Sequence, residues 1–137
     1  MLFGQQFAQL ASDSSRVYSY HLTQPLSLSS TCPHQWGVCH GTDLEYVFGK
    51  PYGEKSFWRH SWRDERLSVD MINSWTSFAK TGDPGEMGGV KWEKAFPSGN
   101  NGIGSHQVMV LDVENYQMVK GYFKDPCEDF WKARIFV

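Results

Sequence analysis

The segment WGVCHGTDLEYVFG, residues 36–49, places a histidine between a cysteine and a glycine, just before a short apolar run. Thr42 precedes Glu45 by three residues, which is the spacing of a capping box, and Gly49 follows as a stop signal. The pattern predicts a short helix with His40 in the loop before its N-terminus. His40 could be a packing residue, a metal ligand or a catalytic base.

A metal site is suggested by four potential ligands within nine residues: Cys32, His34, Cys39 and His40. Thiolates and imidazoles are the usual ligands of zinc. However, zinc modules usually bring two separated ligand pairs together, and the side chains of adjacent residues such as Cys39 and His40 rarely face one ion. We therefore predict no metal site, although a free-standing zinc-binding domain remains an alternative.

The other two interpretations of His40 are a buried, hydrogen-bonded core residue and a general base. Glycines at positions 37 and 41 permit unusual backbone angles, which favours a side chain that is directed into a site. A neutral imidazole can take a proton from a hydroxyl at physiological pH, but it needs a nucleophile and an acid as partners. The sequence contains no G-x-S-x-G motif, so it offers no convincing nucleophile.

Composition excludes several classes of function. The chain has 137 residues, a formal net charge of −2 and 40% hydrophobic residues. Because no basic run is present, we expect no nucleic-acid partner. No apolar stretch is long enough to be a transmembrane segment, and the first ten residues lack the features of a signal peptide.

The hydrophobic pattern predicts strands at 16–22 and 106–113, and a loop over 85–105. It also predicts a helix over 64–80, capped by Ser61 with Asp64, and a helix over 115–137 that is interrupted near Pro126. The apolar face of the first helix comprises Leu67, Met71, Ile72, Trp75, Phe78 and Ala79. So small a sheet leaves edges unpaired, and we expect these elements to pack on something larger.

Two of these segments resemble signatures of the type-B carboxylesterase and cholinesterase family. GVCHGTDLEYVFG, residues 37–49, is similar to its histidine segment, and INSWTSFAKTGDPG, residues 72–85, is similar to its next signature. The strand VYSYHL, the pair KW at 91–92, the strand VMVLDV and the terminal CEDFW follow in the order of the family.

The resemblance implies an α/β fold, the α/β-hydrolase fold, of which residues 1–137 would form the C-terminal segment of one domain. This segment would hold one core strand, an additional edge strand and flanking helices, and would be incomplete as a domain. His40 matches the catalytic histidine of the family, and the serine and the acid of the triad are expected upstream. Asp43 falls where the family has a glutamate that supports the site, and Glu45 matches a second acidic position that we expect to be structural.

The resemblance also bears on the three cysteines. Cys127 matches a position that usually pairs with an upstream cysteine, and that partner is missing because Met1 or Leu2 falls in its place. The family does not require Cys32 and Cys39, which could form a local disulfide or stay free.

The function implied by the resemblance is hydrolysis of a small-molecule carboxylic ester by a serine esterase that needs no cofactor. The isolated chain is predicted to be inactive because it lacks the nucleophile. The parent family implies a secreted protein or one of the endoplasmic-reticulum lumen, with a possible homo-oligomer through the C-terminal helices. The alternative is a catalytically silent, cholinesterase-like adhesion or binding domain, which shares this fold.

Overall fold

The computed structural model describes residues 16–29, 32–53, 60–97 and 105–122. Their elements, in chain order, are strand β1 (Tyr20–Leu22), the 3₁₀ turn His34–Trp36, helices α1 (Thr42–Val47), α2 (Lys50–Gly53) and α3 (Trp62–Thr81), and strands β2 (Glu86–Met87), β3 (Val90–Lys91), β4 (Gln107–Leu111) and β5 (Gln117–Lys120). Three strands form one sheet in the order β1-β4-β5, and β2 pairs with β3 in an antiparallel hairpin.

Strand β4 has buried residues at four consecutive positions, 108–111, as expected of a strand that is covered on both faces. The amide of Met109 donates to the carbonyl of Ser19 at 2.9 Å, and the amide of Thr23 donates to the carbonyl of Leu111 at 3.2 Å. From the first hydrogen bond to the second, the residue numbers rise on both strands, from 19 to 23 and from 109 to 111. This is the pattern of a parallel pair. Parallel pairing is what the α/β expectation requires.

Strand β5 corrects the sequence analysis, which predicted a helix from residue 115 onward. A turn is closed where the amide of Asn115 donates to the carbonyl of Asp112 at 2.9 Å, and residues 117–120 then run as a strand. Beyond that strand, the amide of Gly121 donates to the carbonyl of His106 at 2.8 Å. Without β5 one edge of β4 would lack backbone partners, so tertiary pairing decides this segment. The rest of the predicted helix, with Cys127, lies outside the described residues.

Helix α3 is the predicted amphipathic helix, and it starts two residues earlier than expected. Ser61 and Asp64 form the predicted capping box, and Gly82 ends the helix with a positive φ of 78°. Leu67 and Met71 are buried as expected. Phe78, at the C-terminal end of the predicted apolar face, is exposed, in line with the expectation that these elements pack on something larger.

The hairpin β2–β3 lies where the sequence predicted only loop. Its turn residues, Gly88 and Gly89, both have positive φ angles, 56° and 78°. Consecutive positive φ angles match the tight turns whose twist suits paired strands. The two strands are only two residues long, too short to show alternation in a sequence.

The chain divides into two compact units. The larger contains the described residues of Tyr20–Trp92 and Val110–Gln117, and the smaller contains the other described residues. The buried hydrophobic residues of the larger unit are Leu22, Leu26, Cys32, Tyr46, Leu67, Met71, Met87, Trp92, Val110 and Leu111. In the smaller unit, Ala95 and Phe96 are buried with Val17 packed against them, and the ring of His106 stacks on Phe96 at 4.9 Å. None of the helices in the described ranges combines the length and the apolar character of a membrane span.

Candidate active site

His40 is exposed and lies in the turn that leads into helix α1. The loop before it is closed by a disulfide between Cys32 and Cys39, whose Cα atoms are 5.7 Å apart. Of the two states left open by the sequence, the structure therefore has the bonded one. Because both sulfurs are in this bond, neither can act as a thiolate ligand. Within the described ranges, no group of three His, Cys, Asp or Glu residues could hold a metal ion.

The backbone on both sides of His40 is fixed by local contacts. On one side, the amide of Cys39 donates to Thr42 Oγ1 at 3.1 Å, and the amide of Thr42 donates to the carbonyl of Cys39 at 3.2 Å. On the other side, Gly41 has a φ of 80°, a left-handed conformation that other residues rarely adopt. The prediction that glycine supplies unusual backbone angles near His40 is therefore confirmed at this position.

The predicted capping box between Thr42 and Glu45 is wrong. The N-cap of α1 is Gly41, and no side chain caps this helix. Thr42 is already helical, and its hydroxyl oxygen accepts the amide of Cys39 instead. Competition from this nearby loop amide explains why the sequence pattern misassigned the helix start.

Glu45 joins the disulfide loop to α1 and α2. Its Oε1 accepts from the Ser29 hydroxyl at 2.8 Å, and its Oε2 forms an ion pair with Lys50 Nζ at 2.7 Å. The Ser29 oxygen in turn accepts the amide of Cys32 at 3.1 Å. Burial opposes the charge of Glu45, but the hydrogen bonds from Lys50 and Ser29 outweigh it and lower the pKa of the carboxyl.

Asp43 points toward β1 and the aromatic cluster behind it. Its Oδ2 accepts the hydroxyl of Tyr20 at 2.8 Å, and the Tyr20 ring packs edge-on against Trp75 and Trp92, with centroids 5.0 and 6.3 Å away. Burial, together with the hydrogen bond to Asp43 and its charge, raises the pKa of Tyr20 to about 12. The phenol therefore stays protonated and donates to Asp43 at physiological pH. In the part of the chain that the structure describes, no hydrogen bond joins Asp43 to His40.

The sequence analysis missed a buried network around Asp64, which it assigned only to a helix cap. Besides the amide of Ser61 at 3.0 Å, the carboxylate accepts the amide and the hydroxyl of Ser27 and the hydroxyl of Tyr46, the last at 3.2 Å. Gln24 donates to the Tyr46 oxygen at 3.4 Å. A cavity of about 60 Å³ adjoins this network, with lining residues that include Gln24, Ser27, His34, Arg63 and Asp64. No sequence motif indicated the contacts of Ser27, Tyr46 and Gln24, because the bonded partners are 18 to 37 residues apart.

The structure thus brings the predicted residues around one helix N-terminus but gives them different roles. The exposed ring of His40 is open to a reactant, so the interpretation as a buried core residue is wrong. Asp43 and Glu45 are engaged by Tyr20 and by Ser29 with Lys50. An exposed imidazole on a restrained loop can exchange a proton with a hydroxyl that approaches from outside the described residues.

Comparison with known proteins identifies the family. The family model of the carboxylesterase family matches residues 3–131. The chain is 36% identical to chicken (Gallus gallus) acetylcholinesterase over 100 residues, which are 72% of this chain and 12% of that protein. It is 42% identical to bovine (Bos taurus) bile salt-activated lipase over 71 residues, 52% of this chain and 11% of the lipase. Against Caenorhabditis elegans acetylcholinesterase 1 the identity is 33% over 125 residues, 87% of this chain and 19% of that protein.

The chain therefore spans less than a fifth of the length of each of these relatives. The match nevertheless covers most of the sequence, in agreement with the resemblance of the two signature segments. The chain belongs to the carboxylesterase family.

Proposed function

We propose that this chain is the C-terminal, histidine-bearing part of a serine carboxylic-ester hydrolase, and that His40 is its general base. The observation that carries the proposal is the placement of His40, whose exposed ring follows a disulfide-closed loop directly before a helix N-terminus. Membership of the carboxylesterase family supports it, because the names of the relatives denote esterases and a lipase.

In the proposed reaction, a serine outside the described residues attacks the carbonyl carbon of the ester. The neutral imidazole of His40 takes the hydroxyl proton as the new C–O bond forms, and then delivers this proton to the departing alkoxide. In the second half, His40 takes a proton from water as the water oxygen attacks the acyl carbonyl. His40 then returns this proton to the departing serine oxygen, so that the carboxylic acid is released and the serine is restored. The substrate is a small carboxylic ester, and no cofactor takes part.

The isolated chain is proposed to be inactive, because general-base catalysis needs a nucleophile to act on. Incubation with a chromogenic acetyl ester and with a serine-directed organophosphate tests this. We expect hydrolysis no faster than that by free histidine and no stoichiometric labelling. Turnover above that rate with one organophosphate bound per chain would contradict the proposed division of labour.

A chimera tests the role of His40 directly. Residues 3–131 of this chain, which match the family model and include His40, would replace their counterpart in bovine bile salt-activated lipase. We expect His40→Gln to lower kcat by about 100-fold or more, the usual contribution of a general base. The matched control is His34→Gln, because His34 is also exposed and lies in the same loop.

The kcat of the His34→Gln control should stay close to that of the unsubstituted chimera. If His40→Gln and His34→Gln hydrolyse the ester equally fast, His40 is not the base. A folded chimera that hydrolyses no ester would instead favour the alternative of a catalytically silent binding domain for this chain.

The proposed compartment is the secretory pathway or the extracellular space. Disulfides persist in oxidising compartments and are rare in the cytosol, so the bond between Cys32 and Cys39 supports this assignment. Recovery of the bond, by mass spectrometry of peptides from protein that was alkylated in the cell, tests it. Two free, alkylated thiols at these positions would contradict it.

A further inference from the structure

The disulfide between Cys32 and Cys39 ends one residue before His40. We propose that this bond is a positioning element for the His40 imidazole, so that breaking it slows ester hydrolysis without unfolding the chain. The inference rests on the function proposed above and goes beyond it, because the resemblance to the carboxylesterase family does not call for cysteines at these positions.

The first observation is that burial does not hold the loop in place. No residue from 33 to 39 is buried, and His34, Gln35 and Trp36 are exposed. Two backbone hydrogen bonds shape its 3₁₀ turn, from Trp36 to Pro33 and from Gly37 to His34, but both are internal to the loop. A loop with few buried contacts and exposed hydrogen bonds opens readily unless it is tied down. The covalent bond supplies that restraint.

The second observation is that each half of the disulfide is attached to helix α1. Cys39 exchanges hydrogen bonds with Thr42 in the first turn of the helix. Cys32 is buried, and its amide reaches Glu45 of the same helix through the hydroxyl of Ser29. The disulfide therefore closes a ring of contacts that runs from Cys39 through His40 into α1 and returns through Glu45 and Ser29 to Cys32.

His40 has little freedom within this ring. The residue before it is a bonded half-cystine, and the residue after it, Gly41, is the N-cap of α1 with a φ of 80°. The ring thus defines where the His40 backbone lies, while the imidazole itself remains exposed to a reactant. A displacement of 1 Å at a catalytic group can cost about 100-fold in rate, so small movements of this backbone matter.

Opening the bond is an ordinary thiol–disulfide exchange. Dithiothreitol attacks one sulfur, the Cys32–Cys39 bond breaks, and two thiols form while the reagent is oxidised to its cyclic disulfide. The exchange is reversible, so the same sample can be measured closed, open and closed again.

The restraint is tested first in the chain itself, with Cys127→Ser so that only the loop cysteines respond. Amide hydrogen exchange would be measured before reduction, after reduction and after reoxidation. We expect the amides of Cys39 and Thr42 to exchange about tenfold faster after reduction. The amides of Leu67 and Met71 in α3 should stay unchanged, which shows that the chain remains folded. Equal exchange at Cys39 and Thr42 in both states overturns the proposal.

The catalytic consequence is tested in the lipase chimera with Cys32→Ser combined with Cys39→Ser, so that other disulfides of the host stay intact. We expect kcat to fall about 10- to 100-fold while KM stays within about twofold, because the change displaces the base and not the ester. Thr42→Val, which removes only the hydroxyl that holds Cys39, should lower kcat in the same direction by a smaller factor. An unchanged kcat in the serine pair overturns the proposal.

The two proposals fail in different ways. If His40→Gln leaves the chimera active, the proposed function fails and takes this inference with it. If His40→Gln abolishes activity while the serine pair keeps the full kcat, only the positioning role of the disulfide fails.

Discussion

The hydrogen bond between Tyr46 and Asp64 allows a stability prediction that needs no catalytic activity. Tyr46→Phe removes one buried hydroxyl and keeps the ring. That hydroxyl donates to Asp64 Oδ1 at 3.2 Å and accepts from Gln24 Nε2 at 3.4 Å. Burial and the charge of Asp64 raise the pKa of Tyr46, so the hydroxyl remains a donor at every pH of interest.

The expected cost of Tyr46→Phe is about 2 kcal/mol of unfolding free energy. A hydrogen bond to a charged group contributes roughly 1.5–3 kcal/mol, and the 3.2 Å distance places this one at the lower end. The loss of an acceptor for the buried amide of Gln24 adds to the cost.

Asp64→Asn is expected to cost about 2–3 kcal/mol. The carboxylate faces the backbone amides of Ser27 and Ser61 and the Tyr46 hydroxyl. An amide group of the same shape offers only one acceptor oxygen, so its NH2 group must oppose a backbone N–H in a buried site. The capping box of α3 is weakened as well, because the side chain of Asp64 accepts the N-cap amide.

Combining the two substitutions shows whether they share one interaction. The double variant should lose about 1 kcal/mol less than the sum of the single losses, because the shared hydrogen bond can be removed only once. Urea denaturation followed by circular dichroism of the helices measures all three. The matched control is Tyr52→Phe, since Tyr52 is 71% exposed. The network does not stabilise the fold as argued if Tyr46→Phe lowers the free energy of unfolding no more than Tyr52→Phe does. The same holds if the losses of Tyr46→Phe and Asp64→Asn add fully in the double variant.

Three further outcomes are expected from stability measurements. The free energy of unfolding should be lower in Gly88→Ala than in Gly89→Ala by about 1 kcal/mol or more. Both glycines have positive φ, but only a Cβ at position 88 would collide with the ring of Tyr116; equal free energies of unfolding would contradict this. Hydrogen bonds and the charge of Lys50 lower the Glu45 pKa from 4.5, so the ionised carboxyl stabilises the fold above pH 4.5. This contribution should be lost as the pH falls through the lowered pKa. In Glu45→Gln, the urea midpoint should therefore depend less on pH in that range than in the unsubstituted chain; the same pH dependence in both would refute the prediction. Burial lowers the pKa of His106 from 6.5, so the unfolded chain binds more protons than the folded chain as the pH falls below 6.5. The free energy of unfolding should therefore decrease on acidification from pH 6.5 even in Glu45→Gln; a value that does not change with pH would be inconsistent with this.

The parts of the fold that sequence predicts well are those with local causes. Helix α3 has a periodic pattern, a capping box at Ser61 and a glycine stop at Gly82, and the structure follows all three. Strand β5 has no such local pattern, because its conformation depends on pairing with β4. The apolar run around α1 predicted a helical turn, and the structure adds that Leu44 and the following Phe48 are exposed, which the sequence alone did not address.

The candidate site shows the same division between local and distant causes. His40 could be assigned from the sequence through the resemblance of residues 37–49 to the histidine segment of the family, because the local pattern by itself left a packing residue, a metal ligand and a base open. The groups that hold its loop are ordinary serines, threonines and carboxylates that gain their roles from folding. Ser29 is 16 residues from Glu45, and no pattern in either segment predicts the hydrogen bond between them. Sequence therefore indicates which residue performs the proposed chemistry, whereas the structure shows what holds that residue in place.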